Sequence, residues 1–488
     1  MSIVPYQTPD IPILFTISSF IYLANVAEDI FSSLINAGLI GSLSVGIIFG
    51  PEASNILPTY IQSTFIILGY IGLILLVFEA GLSTNISLLY HNIFVSLAVA
   101  LCGVLFPIAT SLLLLHFGYG YTTLQAFGAG ASLCSTSLGT TLALLRPELR
   151  ETRTGAVLMS AALLDDIAGL VLAAIIQSLP YKGSSSSSTI SWHTIARPIL
   201  VSFAFAFGTP AFAYLLCKIT SKVPPTWKKL IFSGRFQLFL IVSVLSGFVV
   251  GAKYAGTSEL FGAYLSGAFL SYVFQLPFQT PVSESQSRIT SPDALTPSET
   301  FTKYLLPLLH HIFSPIFFAS IGSALPIRSL VFADGSRRVI WRGLVYSLLM
   351  ILTKAVVGIW LLVWPDHHSG LGWCGARKNS RTKKPSNTSE NKGSTPSRHV
   401  VDEGQRISSA PVAGLSRAHS ATLIGLSMVA RGEIALIVVQ LARPLLLGGT
   451  PQQTEPYAVV IWAILVTTVS GALGVGFLLR SWDRRSLM

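Results

Sequence analysis

The sequence predicts an all-α polytopic membrane protein with about 13 transmembrane helices of ~20 residues each. Hydrophobic residues make up 51% of the 488 residues and only 11% are charged, against about 25% in an ordinary soluble protein. The mean hydropathy is +0.65. Backbone groups in lipid must bond within their own segment, and the alternation typical of barrel strands is absent. The apolar runs are therefore predicted to be helices.

The apolar residues divide the chain into thirteen segments, of which the first is the shortest. Each later segment begins after a polar or basic break and is long enough to cross or nearly cross the hydrocarbon core. The segments lie near residues 11–25, 34–50, 61–80, 91–116, 123–146, 155–179, 196–217, 235–252, 258–277, 304–324, 340–364, 418–443 and 457–480.

Basic residues concentrate in the breaks that follow segments five, seven, eleven and thirteen. With thirteen spans, these breaks all lie on one side, which the positive-inside rule makes the cytoplasm. We therefore expect the N-terminus outside or in a lumen and the C-terminus in the cytoplasm, in the plasma membrane or an endosomal or vacuolar membrane. The net charge of +11 then reflects topology, and no nucleic-acid partner is predicted because no such motif occurs.

One long stretch, residues 365–417, interrupts the apolar pattern. It is polar and basic and contains few large apolar residues. Such a composition cannot bury enough apolar surface to fold by itself. We predict a disordered basic insert on the cytoplasmic side.

Two adjacent aspartates, Asp165 and Asp166, lie in the middle of segment six, in the run AALLDDIAGLVLAAII. Burial of a carboxylate in hydrocarbon is costly, and acidic residues inside spans usually line ion or proton pathways. Neighbouring helix positions point about 100° apart. One carboxylate can therefore face a cavity while the other contacts a partner in the bundle.

A lysine at a similar depth, Lys354, lies in the middle of segment eleven, in SLLMILTKAVVGIW. Lysines near helix ends reach water by extending along the helix, but one at this depth cannot. A buried aspartate would hold Lys354 charged. The same pattern also fits a purely structural salt bridge.

Segments five and twelve each carry a polar interruption. Segment five contains SLCSTSLGTTLALL, in which Ser135 and Thr136 belong to a cluster of hydroxyl side chains around Gly139. Segment twelve contains LSMVARGEIALIVV, with Arg431 and Glu433 on either side of a glycine. A broken helix offers backbone dipoles and hydroxyl oxygens to a small cation. Arg431 and Glu433 could neutralise the broken ends, or could form only a local ion pair.

The two interrupted segments are seven spans apart, so they enter the membrane from opposite sides. Two interrupted helices in inverted orientation are typical of inverted-repeat transporters. Segments four to six and eleven to thirteen would form the repeats, with Asp165, Asp166 and Lys354 near the crossing point. Glu79 and Glu259 lie near helix ends and are interpreted as end-of-helix charges.

Taken together, these motifs resemble the monovalent cation:proton antiporter superfamily, the sodium/hydrogen exchanger domain, in its Asp-Asp type. ALLDDIAGLVL, the hydroxyl-rich segment before it, TKAVVG and ARGEIALIV carry the resemblance, and LLVFEAGLS, GAYLSGAFLS and SPIFFASIGSAL support it. The motifs occur in family order over residues 11 to 480. The 365–417 insert departs from the compact pattern of bacterial members.

The resemblance implies a set of roles and an architecture. Asp166 matches the ion-binding aspartate, the ligand for Na⁺ or K⁺, and Asp165 matches its partner, which pairs with the lysine at Lys354. Members with two aspartates and a lysine tend to exchange electrogenically, and members are typically homodimers with a moving core beside a static scaffold. The implied parts are residues 1–90 (scaffold and dimer helices), 91–180 (first half of the core), 181–330 (linking and scaffold helices), and 340–364 with 418–480 (second half of the core).

The sequence therefore predicts a secondary antiporter that exchanges Na⁺ or K⁺ for H⁺, with Asp165, Asp166, Ser135 and Thr136 as ion- or proton-binding residues. The alternative is a sodium-coupled solute symporter of similar broken-helix architecture. A channel is disfavoured because no filter-like loop is visible. No nucleotide-binding loop, catalytic nucleophile motif or metal-ligand spacing occurs. We therefore predict no cofactor and no enzymatic activity.

Overall fold

In a computed structural model, the regular secondary structure in the described part of the chain is entirely helical. The structure describes residues 8, 10–35, 37–84, 93–137, 152–179, 192–220, 232–275, 296–331, 338–363, 417–447 and 454–486. No strand occurs within these ranges, so the predicted all-α class is confirmed. Residues 365–416 of the predicted insert lie outside the described residues, and Arg417, its last residue, begins a helix.

Every predicted apolar segment contains a helix, and we number the helices by segment. Within the described ranges, nine helices are long and apolar enough to cross a membrane; the full count of thirteen crossings stays a prediction. The helices are α1 (Ile11–Ile35), α2 (Gly38–Phe49), α3 (Thr59–Leu82), α4 (Ile93–Ser111, continued by a π-helical end, Leu112–Gly118), α5 (Thr123–Ser132), α6 (Arg153–Ser178), α7 (Trp192–Thr220), α8 (Gly234–Ala255), α9 (Glu259–Gln275), α10 (Pro297–Ser323), α11 (Arg338–Val357, continued by Trp360–Val363), α12a (Arg417–Ser427), α12b (Glu433–Leu446) and α13 (Glu455–Ser486).

Helix α1 is longer than the sequence indicates, because it continues to Ile35 instead of ending near residue 25. The polar residues that suggested an end have partners in neighbouring helices. The Asn25 amide donates to the carbonyl of His311 in α10 at 2.9 Å, and Glu28 accepts the Ser42 hydroxyl of α2 at 2.8 Å. The hydropathy pattern alone does not predict such contacts between helices.

The helices pack as two groups. We call α4, α5, α6, α11, α12a, α12b and α13 the core group, and α1, α2, α3, α8, α9 and α10 the scaffold group, because each group packs mainly among its own members. Helix α7 contacts α6 of the core group and α9 of the scaffold group. The mechanical roles expected of the two groups stay predictions.

Glycines bring α3 and α9 of the scaffold group into backbone contact. A methyl group added at Gly81 would clash with the backbone of Tyr264, and one added at Gly267 would clash with the backbone of Phe78. Small residues at helix crossings allow this close approach in membranes, where packing rather than the hydrophobic effect holds helices together. The scaffold group is thus tightly packed beside the core.

Candidate ion-binding site

Helix α5 is the first of the two interrupted helices. It begins with a capping box, in which the Thr122 hydroxyl and the Gln125 side chain satisfy each other's backbone N–H groups. It ends at Ser132, and residues 135–137 are irregular. Serine and threonine side chains compete for backbone hydrogen bonds, which favours an end here. The remainder of the predicted segment, residues 138–146, lies outside the described residues.

The second interruption separates α12a from α12b at Gly432, whose backbone is extended with φ −126° and ψ −154°. The two interruptions cross in direct contact, because the Ser137 backbone N–H donates to the Ala430 carbonyl at 2.9 Å. A Cβ atom at Gly432 would lie 2.7 Å from the Ser137 hydroxyl oxygen. Only glycine fits this close approach. The structure therefore brings the two predicted interruptions into direct contact, with both α12a and α12b described on either side of the second one.

Asp165 and Lys354 form an ion pair beside this crossing. Lys354 Nζ lies 2.6 Å from Asp165 Oδ2, and both side chains are fully buried. Lys354 also donates to the Cys134 carbonyl at 2.6 Å and contacts the Thr136 hydroxyl at 3.1 Å. Thr136 in turn donates to Asp165 Oδ2 at 2.9 Å. The three ammonium hydrogens thus each have an acceptor, and the pair joins α6, α11 and the end of α5.

The ion pair packs against Gly103 of α4. A Cβ atom at this position would lie 3.0 Å from Asp165 Oδ1 and 3.1 Å from Lys354 Nζ. Both distances are shorter than ordinary carbon contacts, and both charged side chains are fully buried, so neither can move out into solvent to make room. Gly103 is therefore a positioning residue for the pair.

We expect Gly103→Ala to destabilise the protein by about 1–3 kcal/mol, the usual cost of adding volume to a packed interior. The added methyl group pushes Asp165 and Lys354 apart. Thermal unfolding of the detergent-purified protein measures the loss. Gly247→Ala in α8 is the matched control, because no atom lies within 4 Å of its added Cβ. Equal stability of the two variants would contradict the positioning role.

Asp166 faces away from the ion pair and lines a cavity of about 420 Å³. Its side chain is 8% exposed, and its Oδ1 atom has no hydrogen-bond partner among the described residues. A buried carboxylate oxygen without a donor is costly unless an ion or a proton compensates it. The two adjacent aspartates thus have different surroundings, as their helical offset predicts.

The cavity lies between the core and scaffold groups. It reaches the ends of α1 and α3 and the beginning of α2, all at one end of the helix bundle. Five carboxylates and one histidine are among its lining residues, so its electrostatic potential favours cations. These lining residues are Glu28, Asp29, Glu79, Asp166, Glu433 and His310.

Glu79 and Glu259, both interpreted as end-of-helix charges, differ in their surroundings. Glu259 pairs with Lys253 at 2.6 Å at the junction of α8 and α9, as an end charge would. Glu79 instead lines the cavity that reaches Asp166 and lies 3.9 Å from His310. Its position near a helix end gave no sign of this, because the cavity is formed by helices distant in sequence.

Arg431 and Glu433 do not pair with each other. Arg431 is fully buried and donates to the Ser135 carbonyl at 2.6 Å, at the end of α5. A cation is stabilising at such a helix C-terminus. Glu433 lies in the first turn of α12b and lines the cavity. The local ion pair that the sequence left open is thus not formed, and the two residues have separate surroundings.

The hydroxyl residues predicted to bind the ion occupy different places. Thr136 contacts Asp165 and Lys354 rather than the cavity. The Ser135 hydroxyl is buried without a hydrogen-bond partner, and its carbonyl accepts from Arg431. Ser137 lines the cavity with Asp166. The sequence identifies the hydroxyl cluster, but the choice among its members depends on backbone torsions beyond the helix end.

Two interrupted helices that cross beside a buried carboxylate, within a polytopic helical bundle, define a secondary transporter of the discontinuous-helix type. Comparison with known proteins specifies the family. Residues 17–481 match the family described as sodium/hydrogen exchanger, transmembrane. The chain belongs to this family and is an integral membrane protein.

The chain is similar to bacterial proteins that are named as antiporters. It is 28% identical over 341 residues to the probable Na⁺/H⁺ antiporter GerT of Bacillus cereus, covering 68% of this chain and 77% of GerT. It is 25% identical over 465 residues to the Na⁺/H⁺-K⁺ antiporter GerN of the same organism, covering 93% and 94% of the two chains.

A solved structure shares the fold. The sodium proton antiporter MjNhaP1 of Methanocaldococcus jannaschii, determined at pH 8, superposes with a TM-score of 0.57. The superposition covers 96% of this chain and 98% of MjNhaP1, at 15% sequence identity. The predicted family and fold are both confirmed.

Proposed function

We propose that this protein exchanges Na⁺ or K⁺ for H⁺ by alternating access, with the cation and protons competing for Asp166. The buried Asp166 carboxylate at the cavity, whose Oδ1 atom has no hydrogen-bond partner among the described residues, carries the proposal. A carboxylate cannot hold a proton and a bare cation at once, so occupancy by one excludes the other. Competition at this one group couples the two fluxes.

The division of labour between the two aspartates supports this role for Asp166. Asp165 already holds Lys354 and Thr136, so its charge is compensated within the protein. In the described part of the chain, no cationic side chain forms an ion pair with Asp166, which lines the cavity. The negative charge of Asp166 therefore remains available to an incoming cation, whereas that of Asp165 is already compensated.

The location of the cavity between the two helix groups supports alternating access. In the proposed cycle, the core group moves against the scaffold group and carries Asp166 from one side of the membrane to the other. Under the predicted topology, the cavity opens to the cytoplasm. If one net charge crosses in each cycle, the membrane potential contributes ~2.3 kcal/mol per 100 mV.

The cation is Na⁺ or K⁺. This choice is supported by the relatives, since GerT is a probable Na⁺/H⁺ antiporter and GerN is a Na⁺/H⁺-K⁺ antiporter. A homodimer, with the scaffold group at the interface, is the assembly that we propose from the family resemblance. The membrane is the plasma membrane or an endosomal or vacuolar membrane.

A flux measurement in proteoliposomes tests the proposal. With a pH gradient imposed and a lumenal pH dye, addition of Na⁺ or K⁺ is expected to trigger proton movement with no organic solute present. Comparing Na⁺, K⁺ and Li⁺ ranks the cations, and clamping the voltage without K⁺ tests electrogenicity. Proton movement that requires an added organic solute would favour the symporter alternative.

Competition also predicts the pH dependence. As the pH falls, more Asp166 is protonated, so the apparent KM for the cation is expected to rise, by about tenfold per pH unit once the protonated form predominates. The maximal rate at saturating cation changes less. Initial rates over a grid of pH and cation concentration measure both quantities. An apparent KM that does not vary with pH would rule out competition.

A further inference from the structure

Glu433 is the only carboxylate besides Asp166 that lines the cavity from the core group, within the described residues. The other acidic lining residues, among them Glu28 and Glu79, belong to scaffold helices. If the core group shifts, Asp166 and Glu433 would therefore be the only two of these described cavity carboxylates that move together. A carboxylate that accompanies the ion throughout its passage can bind it in both facing states.

The neighbouring cationic side chains do not neutralise Glu433. Arg431, two residues away, donates to the Ser135 and Cys134 carbonyls. Lys354 uses its three hydrogens on Asp165, Thr136 and the Cys134 carbonyl. The nearest histidine on the cavity wall, His310, lies beside Glu79 in the scaffold. Glu433 thus faces the cavity with no ion-pair partner in the described part of the chain.

The charges at the crossing balance when one monovalent cation is present. Within the core group, the charged side chains described at the crossing are the cations Lys354 and Arg431 and the carboxylates Asp165, Asp166 and Glu433, which leaves one excess negative charge when all are ionised. A single Na⁺ or K⁺ makes the sum zero. Without the charge of Glu433, the group would be neutral before the cation arrives and positive afterwards, which is costly in a buried site.

We propose that Glu433 is a cation-binding residue that holds the transported ion together with Asp166, so that the ion lies between two carboxylates. The proposal rests on the proposed function of Asp166. The unpartnered Oδ1 atom of Asp166, on a side chain that is 92% buried, marks the other side of this site. The ligand is a monovalent cation that has lost part of its water shell.

A simpler role for Glu433 would be to cap the first turn of α12b, where a negative charge is favourable. The two roles differ in what a neutral replacement does. If Glu433 is only a cap, Glu433→Gln alters stability but leaves cation affinity unchanged. If it binds the ion, the same variant loses affinity.

Cation binding is measured without transport, as the rise in thermal stability of the detergent-purified protein when NaCl or KCl replaces choline chloride at constant ionic strength. We expect Glu433→Gln to weaken the apparent Na⁺ affinity by about tenfold or more. Glu433→Asp keeps the charge and withdraws it by about one methylene length, ~1.5 Å. We expect it to bind cations but to shift the preference from Na⁺ toward K⁺.

Glu259→Gln is the matched control, because Glu259 pairs with Lys253 away from the cavity. It is expected to bind cations as the wild type does. Wild-type affinity and cation order in both Glu433 variants would overturn this inference while leaving Asp166 in place. If Asp166→Asn also kept wild-type cation binding, the proposed function itself would fail. If the Glu433→Gln protein does not fold, the deciding measurement is the relative affinity of Glu433→Asp for Na⁺ and K⁺, which we expect to shift toward K⁺.

Discussion

Replacing Asp166 with asparagine is expected to abolish cation-driven proton flux while leaving the protein folded. Asparagine has nearly the same shape as aspartate. Its amide does not bind a proton near neutral pH, and it carries no negative charge that could compensate the cation. The loss is expected to exceed about a hundredfold, because the compensating charge for a desolvated ion disappears. Flux in proteoliposomes and thermal stability in detergent measure activity and folding separately.

The matched control is Asp10→Asn, at the exposed start of α1. It is expected to retain wild-type flux, because Asp10 does not line the cavity. If folded Asp166→Asn protein retains cation-dependent proton flux, the assignment of Asp166 as the ion site is wrong. Such a result would direct attention to the other carboxylates of the cavity.

Replacing Lys354 with alanine is expected to destabilise the protein by about 3–5 kcal/mol, the usual loss when one partner of a buried ion pair is removed. Among the described residues, Asp165 would be left buried with Thr136 as its one donor, and the Cys134 carbonyl would lose its 2.6 Å contact. We expect this variant to lose stability or electrogenicity before it loses cation binding at Asp166, because Lys354 does not contact Asp166.

Lys253→Ala is the matched control for this loss. Lys253 also pairs with a glutamate at 2.6 Å, but its side chain is 68% exposed, so the pair contributes little to stability. Thermal unfolding of both variants, followed by a cation titration, separates the two effects. A Lys354→Ala protein as stable as the control would mean that the buried pair does not hold α6 and α11 together.

The fold is predictable from the sequence because the bilayer leaves few alternatives. Apolar runs of spanning length must be helices, and two interrupted segments that are seven positions apart in the order of spans enter the membrane from opposite sides, which gives them inverted orientation. The end of α1 could not be predicted, because Asn25 and Glu28 are satisfied by α10 and α2. Such tertiary contacts make polar residues compatible with a continuing helix.

The ion pair of the site is predictable to a similar degree. Two adjacent aspartates and a lysine at similar depth must pair with each other or line a cavity, because an uncompensated charge in hydrocarbon is costly. In the structure, Asp165 and Lys354 form an ion pair. The cavity wall could not be predicted. Glu79 reaches it from α3, and Arg431 turns away from Glu433 toward the end of α5. Both depend on how distant helices pack rather than on local pattern.

The most direct test of competition at Asp166 is a count of the protons released when Na⁺ or K⁺ binds to the purified protein in a weakly buffered solution. The wild type is expected to release protons on cation addition, with the release falling to zero at high pH, where Asp166 is already ionised. Asp166→Asn is expected to release none. Cation binding without proton release at any pH, or equal release from the variant, would contradict the account.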